Sequence, residues 1–375
     1  MALISYLNTV RLDSGSVSFL LEDLKAAGIS RPLVVTDKGV IAAGLLDHVL
    51  KASGLTNPPV YDGTPPNPTE EATEEALAVY RAHDCDGLIS IGGGSPMDLA
   101  KAVAVLAAHE GPLQNYAMVN GGVARITSKT APTLAIPTTA GTGSEVGRGA
   151  IITFRDGRKL GLISPHLIPK RAILDPDLTV GLPPLLTAAT GMDAISHCIE
   201  CFISPVDNPV AAAIAIDGLE RAIVALPRAV KDGKDIDARR EMMIAAMQGA
   251  LAFQKGLGAV HALSHPLGAY RNLKLHHGTL NAILLPPVIR FNESVCAKTY
   301  PRLRRAMGLE ATTDIAEFLE RFSQSLILPT KLSTIGVPRD ILNEVAKAAL
   351  LDHTHATNAR PATEADYLAM LEAAY

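Results

Sequence analysis

Apolar and polar positions along the first half of the chain follow a βα rhythm. Short, largely apolar runs stand at 32–36 (PLVVT), 87–91 (GLISI) and 133–137 (TLAIP), each flanked by glycine, proline or a polar turn. Runs of that length with such flanks are expected of buried parallel strands. Between them the apolar spacing is helical at 17–27, 39–53, 70–83 and 96–109, with Thr69 placed to cap the helix that starts at Glu70. Upstream, ISYL at 4–7 and VRLD at 10–13 read as short strands with Gly15 at a turn. Residues 57–61 read as a further strand, before the turn-rich GTPPNPT at 63–69. This alternation predicts a mostly parallel, doubly wound sheet.

Near residue 180 the pattern changes. The stretch 181–191 (GLPPLLTAATG) marks a boundary, and beyond it the strand signals stop. The spacing there predicts helices at 184–203, 208–230, 236–258, 259–270, 279–290, 298–307, 313–326, 338–350 and 363–374. The expected organisation is an α/β dinucleotide-binding domain over 1–180 and an all-helical domain over 181–375.

Composition fits two domains in 375 residues, 48% of them hydrophobic, with no Trp, so that Ala, Leu, Ile and Val must fill the cores. Lys plus Arg number 34 against 38 Asp plus Glu, and no basic stripe appears, which argues against a nucleic-acid partner. The start MALISYLNTV has no basic region followed by an apolar run, and no apolar stretch approaches the ~18–20 residues of a membrane span. Four cysteines do not make a disulfide framework at this length, and a cytoplasmic protein is expected. Cys198 and Cys201 form a CxxC, but with no second pair they read as packing.

Two stretches carry candidate metal or proton chemistry. His261, His265, His276 and His277 fall within seventeen residues, and each buried imidazole needs partners for its polar nitrogens. His261 and His265 are four apart and share a helical face, as do Asp193 and His197 in TGMDAISHCIEC. Carboxylate oxygen with imidazole nitrogen suits Fe(II), Zn(II), Mn(II) or Co(II). The spacing alone leaves open which histidines bind, and an Asp–His hydrogen bond within one helix is the plainer alternative for Asp193 and His197.

Phosphate chemistry has its own candidates. GGGSPMDLAK at 92–101 lies between a strand and a helix, where glycines allow close approach and the helix start offers free N–H groups. It is neither the Rossmann fingerprint nor a Walker loop. PTTAGTGSE at 137–145 adds hydroxyls and glycines at another strand end. Two such loops fit a pyrophosphate-bearing ligand in a crevice beyond the strands. Asp37, also at a strand end, can accept from a ribose diol and would repel a 2′-phosphate, favouring NAD over NADP; a helix N-cap is its alternative role.

Together GGGSPMDLAK, PTTAGTGSE, GMDAISHCIE and HALSHPLGA…HHGTLNAILLP, with IPKRAILDPDLT, occur in this order in the iron-containing, group III alcohol dehydrogenases, which the chain resembles over nearly its whole length. The resemblance implies a dinucleotide-binding α/β domain followed by a helical domain, an architecture shared with dehydroquinate synthase. It implies Fe(II), or Zn(II) in its place, held by Asp193, His197, His261 and His277, and His265 as a non-ligand that helps move protons. The segment between His265 and His277 is about two residues longer than the common form, with His276 where Pro is usual, so His276 is the alternative last ligand. For NAD, the resemblance places Asp37 on the ribose, Gly93, Gly94 and Ser95 on the pyrophosphate, and Thr138, Thr139, Thr142 and Lys159 on the nicotinamide side. Asn67 and Asp98 join the cofactor-binding positions.

Within that family SEVGRGAII, AFQKGLGAVHALSHPLG, LKLHHGTLNA and LLDHTHATN most resemble the NAD-dependent 4-hydroxybutyrate dehydrogenases. The implied reaction is hydride transfer between NAD and a small primary alcohol or aldehyde, 4-hydroxybutyrate and succinic semialdehyde first. A general short-chain alcohol dehydrogenase is the alternative, and a zinc- and NAD-dependent lyase like dehydroquinate synthase a more distant one. A remote substrate carboxylate calls for a cation. Lys255, six residues before His261, is the first choice and Arg148 the second, with ordinary surface charge as the plain reading of both. His353 and His355 are further candidates. A homodimer or higher homo-oligomer is the default assembly.

Overall fold

The computed structural model describes residues 4, 6 and 8–375, apart from the side chain of Arg271. Contacts divide the chain into two units, one of Tyr6–Thr139 with Gly143–Gly181, the other containing Ala140–Thr142 and Leu182–Tyr375.

In the first unit the βα rhythm gives a six-stranded sheet. Its strands are β1 (Thr9–Leu12), β2 (Pro32–Val35), β3 (Val60–Tyr61), β4 (Gly87–Gly92), β5 (Thr133–Pro137) and a strand at Arg171–Leu174, called β8 below. A separate hairpin pairs β6 (Gly149–Thr153) with β7 (Lys159–Ile163) antiparallel. The sheet order is β1-β8-β5-β4-β2-β3, and every pairing is parallel. Successive side chains of a strand face opposite ways, so the two faces bury different sets. Leu33, Val35 and Leu88 join one apolar cluster with helices α4 (Glu70–Ala82) and α5 (Gly94–Ala108). Val34, Ile89, Ile91, Leu134 and Ile136 join another with α1 (Leu20–Ala27), α2 (Lys38–Ala42) and α3 (Leu45–Ser53). This is the doubly wound sheet the spacing predicts.

Two local readings differ. The expected helix 39–53 is two helices broken at Gly44, which has φ 72°. The hairpin β6–β7 and strand β8 went unread, although Asp156-Gly157, between two β-branched or apolar runs, is a hairpin turn signal. Of the expected strand 4–7, residues 5 and 7 lie outside the described residues; of the expected strand 10–13, residues 10–12 lie in β1.

The second unit is helical, from α6 (Pro184–Ile203), α7 (Pro209–Lys231) and α8 (Ile236–Leu251) through α9 (Ala259–Gly268) and α10 (His277–Asn292). It continues with α11 (Tyr300–Ala306), α12 (Ile315–Ser325), α13 (Leu342–Ala349) and α14 (Glu364–Ala374). The expected helix 236–258 stops at Leu251; a 3₁₀ turn, Ala252–Lys255, follows. Helix α6 is buried on all sides over 191–203, as expected of a helix at the centre of a bundle. It packs on α7, α8 and α10 through small residues such as Ala188, Ala215, Ala222 and Ala245, which replace bulk with close approach. No described helix is long and apolar enough to cross a membrane.

Candidate metal centre and cofactor loops

The central helix α6 projects Asp193 and His197 one turn apart, and the same spacing recurs on α9 (His261, His265) and at the start of α10 (His277, Asn281). Gly278 lets α10 approach: a Cβ there would stand 2.1 Å from the carbonyl oxygen of Ala189 on α6. The three helices converge on Asp193 Oδ1. His197 Nε2 lies 3.3 Å from it, His277 Nε2 3.6 Å and His261 Nε2 3.7 Å. Donor atoms about 2.1 Å from a tetrahedral ion stand roughly 3.4 Å apart, so these separations are those of one coordination shell.

Charge fits as well. Burial would raise the Asp193 carboxyl, but His197, His277 and His261 outweigh it and hold the group well below the usual carboxylate range. Burial lowers His197 to about 4, favouring the neutral ring whose lone pair can bind an ion. His261 is the exception: burial opposes protonation, yet Asp193 and Glu200 raise it to about 9. Two buried carboxyl groups thus draw a positive charge to this point, and a divalent ion would supply it.

The sequence reading missed two supporting residues. Glu200 lies on α6 at 1% exposure, its Oε2 2.5 Å from His261 Nδ1 and its Oε1 accepting the Val260 N–H at 2.7 Å. It caps α9 and leaves His261 Nε2 able to hold an ion, as carboxylates do behind many ligand imidazoles. The signal was present in the quoted SHCIE, three residues after His197. Asn281 Nδ2 donates to Asp193 Oδ1 at 2.7 Å and lies 3.2 and 3.1 Å from the Nε2 atoms of His261 and His277. The Phe253 ring meets His197 edge-on with centroids 4.8 Å apart. His277 rather than His276 reaches the cluster; His276 is the exposed residue that precedes α10.

Beside this cluster His265 Nδ1 bonds Asp352 Oδ2 at 2.8 Å, and the His265 ring runs parallel to those of His277 and His353. His355 instead bonds the Tyr367 hydroxyl at 2.9 Å.

In the first unit the register pairs Gly92 with Pro137 and Val35 with Ser90, bringing the two glycine loops and Asp37 to the same end of adjacent strands. Gly92 has φ 148°, and a Cβ there would meet Pro96 at 2.7 Å, so this turn needs glycine. Helix α5 then begins at Gly94, and the amides of its first turn, Gly94 and Ser95 among them, lack helical acceptors. Thr139 lies against Gly93, and its buried Oγ1 has no hydrogen-bond partner, which suits a bound polar ligand. Asp37 Oδ1 caps α2 through Val40 N at 2.9 Å, leaving Oδ2 for another donor. Lys159 Nζ and Asn67 Oδ1 meet at 2.8 Å, so these two predicted cofactor positions come together. Thr138 is buried, and Thr142 falls in the segment 140–142 that belongs to the helical unit.

Asp98 and Lys255 have other duties. Asp98 accepts from Ser144 Oγ at 2.7 Å and Ile151 N at 2.9 Å, both within the protein. With Lys101, whose ammonium meets the carbonyls of Ser144, Gly147 and Gly149, it anchors the second loop rather than presenting its carboxylate to a ligand. Lys255 Nζ donates to the carbonyls of Ser204 and Val206 just past α6, at 2.9 and 2.5 Å, and is 6% exposed. Its ammonium is taken by these two backbone carbonyls, so as the carboxylate anchor it loses first place. Arg148 is exposed and has no side-chain partner among the described residues. Cys198 and Cys201 are buried free thiols on α6. Two cavities of about 390 and 150 Å³ are lined by none of these site residues.

Residues 8–176 match the family model described as iron-containing alcohol dehydrogenase, and 187–375 match the C-terminal model of the Fe-containing alcohol dehydrogenase family. The chain is 54% identical to a 4-hydroxybutyrate dehydrogenase of Cupriavidus necator, over 99% of each. It superposes on a crystal structure of 1,3-propanediol oxidoreductase with a TM-score of 0.93 and 34% identity, covering all of both chains. A sulfoacetaldehyde reductase from Bifidobacterium kashiwanohense, solved in complex with NAD+, is similar at a TM-score of 0.89 and 26% identity, over 100% of this chain and 98% of that one.

Proposed function

The chain belongs to the iron-containing alcohol dehydrogenase family, and from that premise we propose that it transfers hydride between NAD and 4-hydroxybutyrate, giving succinic semialdehyde, with Fe(II) or Zn(II) held by Asp193, His197, His261 and His277. The observation that carries the metal assignment is the convergence of three imidazole nitrogens within 3.3–3.7 Å of one buried carboxylate oxygen. The substrate reading rests on the 54% identity to the Cupriavidus necator enzyme.

When bound, the ion supplies Lewis acidity toward a substrate oxygen and NAD supplies the hydride acceptor. The chain's own residues do the rest. The α5 amides at Gly94 and Ser95 face a pyrophosphate, and Asp37 Oδ2 accepts from a ribose diol. Thr138, Thr139, Thr142 and the Lys159–Asn67 pair line the nicotinamide side. His265, bonded through Nδ1 to Asp352, has Nε2 for taking or returning the alcohol proton. Glu200 keeps His261 in the form that binds metal.

The test is an anaerobic panel of 4-hydroxybutyrate, 1-butanol and other small alcohols with NAD and added Fe(II), followed at 340 nm. A charged hydrogen bond to the far carboxylate is worth about 1.5–3 kcal/mol, so kcat/KM for the acid should exceed that for 1-butanol roughly ten- to a hundred-fold. Preference for 1-butanol removes the hydroxy-acid reading and leaves a general short-chain alcohol dehydrogenase. Arg148 is the first candidate for the anchor. A homodimer in the cytoplasm completes the reading, and light scattering tests the assembly.

A further inference from the structure

Asp352 stands just after α13, eighty-seven residues from His265, yet their side chains meet at 2.8 Å and are each 8% exposed. The carboxylate is itself fixed: Oδ1 accepts from the Thr354 N–H at 2.8 Å and from Thr354 Oγ1 at 2.6 Å, which leaves Oδ2 for His265 Nδ1. Thr354 is 2% exposed, so this bracket is shielded from water. The His265 ring is held in orientation as well. It lies within 11° of parallel to His277 and within 15° of His353, each with centroids 5.6 Å apart.

A second metal ion is the other reading of His265, Asp352 and His353, whose donor atoms lie within 4.8 Å of one another. The separations decide against it. The 2.8 Å between His265 Nδ1 and Asp352 Oδ2 is a hydrogen-bond length, short of the roughly 3.4 Å edge of a tetrahedral shell. An ionised carboxylate can only accept, so the proton of this bond sits on His265 Nδ1. Nothing among the described residues bonds Nε2.

We propose that Asp352 is the positioning residue of His265: bracketed by Thr354, it holds the imidazole in its Nδ1–H form, with the Nε2 lone pair presented for the alcohol proton. This rests on the proton-moving role given to His265 above. Without Asp352 the ring can exchange tautomers and turn over, and only part of the population presents Nε2. An amide in its place can donate to Nδ1, which favours the opposite tautomer. The arrangement is that of a carboxylate behind a catalytic imidazole, assembled from α9 and the loop after α13.

The experiment uses the metal-loaded protein with NAD, comparing wild type, Asp352→Asn, His265→Ala and the double variant. Asp352→Asn should lower kcat by about ten- to a hundred-fold, below the 10²–10⁴ of a complete acid–base group, with KM for the alcohol and metal content within about twofold. In the His265→Ala background the same substitution should change kcat by less than about twofold. Histidine ¹⁵N spectra of the zinc-loaded protein should show His265 protonated at Nδ1 in wild type and at Nε2 in Asp352→Asn. Thr354→Val, which loosens the carboxylate without removing it, should move the signals part of the way and serves if Asp352→Asn does not fold. An equal loss of kcat with and without His265, or unchanged His265 signals, overturns the proposal. If His265→Ala keeps full kcat, the role of His265 itself fails, while the nitrogen spectra still decide whether Asp352 sets the tautomer.

Discussion

Replacing Glu200 with Gln changes one oxygen to an amide nitrogen at a site that is 1% exposed. The carboxylate accepts from two donors, the Val260 N–H at 2.7 Å and His261 Nδ1 at 2.5 Å. Gln brings one acceptor and one donor group. If its NH₂ faces Val260, two donors confront each other in a water-free site. If it faces His261, the ring must accept at Nδ1 and carry its proton on Nε2, where the ion requires a lone pair. The helix geometry fixes the Val260 N–H, so the second arrangement is the one expected. A buried group left unsatisfied costs about 1–3 kcal/mol, which, borne by the metal-bound state, weakens the ion roughly five- to 150-fold. Losses behind ligand histidines elsewhere, about 10–100-fold, lie inside that range. The assay is competition for Zn(II) or Co(II) against a chelator of known affinity, with thermal unfolding in the presence and absence of metal as a check on folding. Glu200→Gln should bind metal about 10–100-fold more weakly and show a smaller metal-induced rise in Tm. A folded variant with metal affinity within twofold of wild type would refute the assignment of Glu200 as the carboxylate that orients His261.

Other substitutions separate the remaining parts. His197→Ala and His261→Ala should each lose metal and turnover while binding NAD, measured by metal analysis and NADH fluorescence; full metal occupancy in both would contradict the ligand set. Gly278→Ala, whose Cβ meets the Ala189 carbonyl at 2.1 Å, should push α10 from α6, weaken metal binding and cost about 1–3 kcal/mol in denaturant titration. Asp37→Gly should relax the preference for NAD over NADP in steady-state kinetics, and an unchanged ratio would leave Asp37 as the α2 cap alone. Lys255→Met should lower Tm by leaving the Ser204 and Val206 carbonyls unpaired, yet keep the preference for 4-hydroxybutyrate over 1-butanol. Loss of that preference on Lys255→Met, but not on Arg148→Met, would restore Lys255 as the anchor.

Much of this was legible in the residues alone. The βα rhythm and the change near residue 180 are local signals, because burial on a strand or helix face imposes a period on the chain. The i,i+4 pairs Asp193–His197 and His261–His265 are equally local: one helical turn makes them neighbours whatever the rest of the protein does. Helix ends depend on backbone breaks that periodicity does not see, as at Gly44 and after Leu251. Roles that depend on distant partners were not legible. Asp98 and Lys255 carry charges that suit a ligand, but Ser144, Ile151 and the carbonyls past α6 claim them in the folded chain. Asp352 has no local mark of function and Glu200 only its place in SHCIE; each acquires its role by standing against a histidine, eighty-seven or sixty-one residues away, at hydrogen-bond distance. Sequence determined which chemistries were present and on which elements. Only tertiary packing, with Gly278 letting α10 close on α6, decided which donor atoms share one point, because coordination and proton transfer depend on separations of a few ångströms that spacing along the chain does not set.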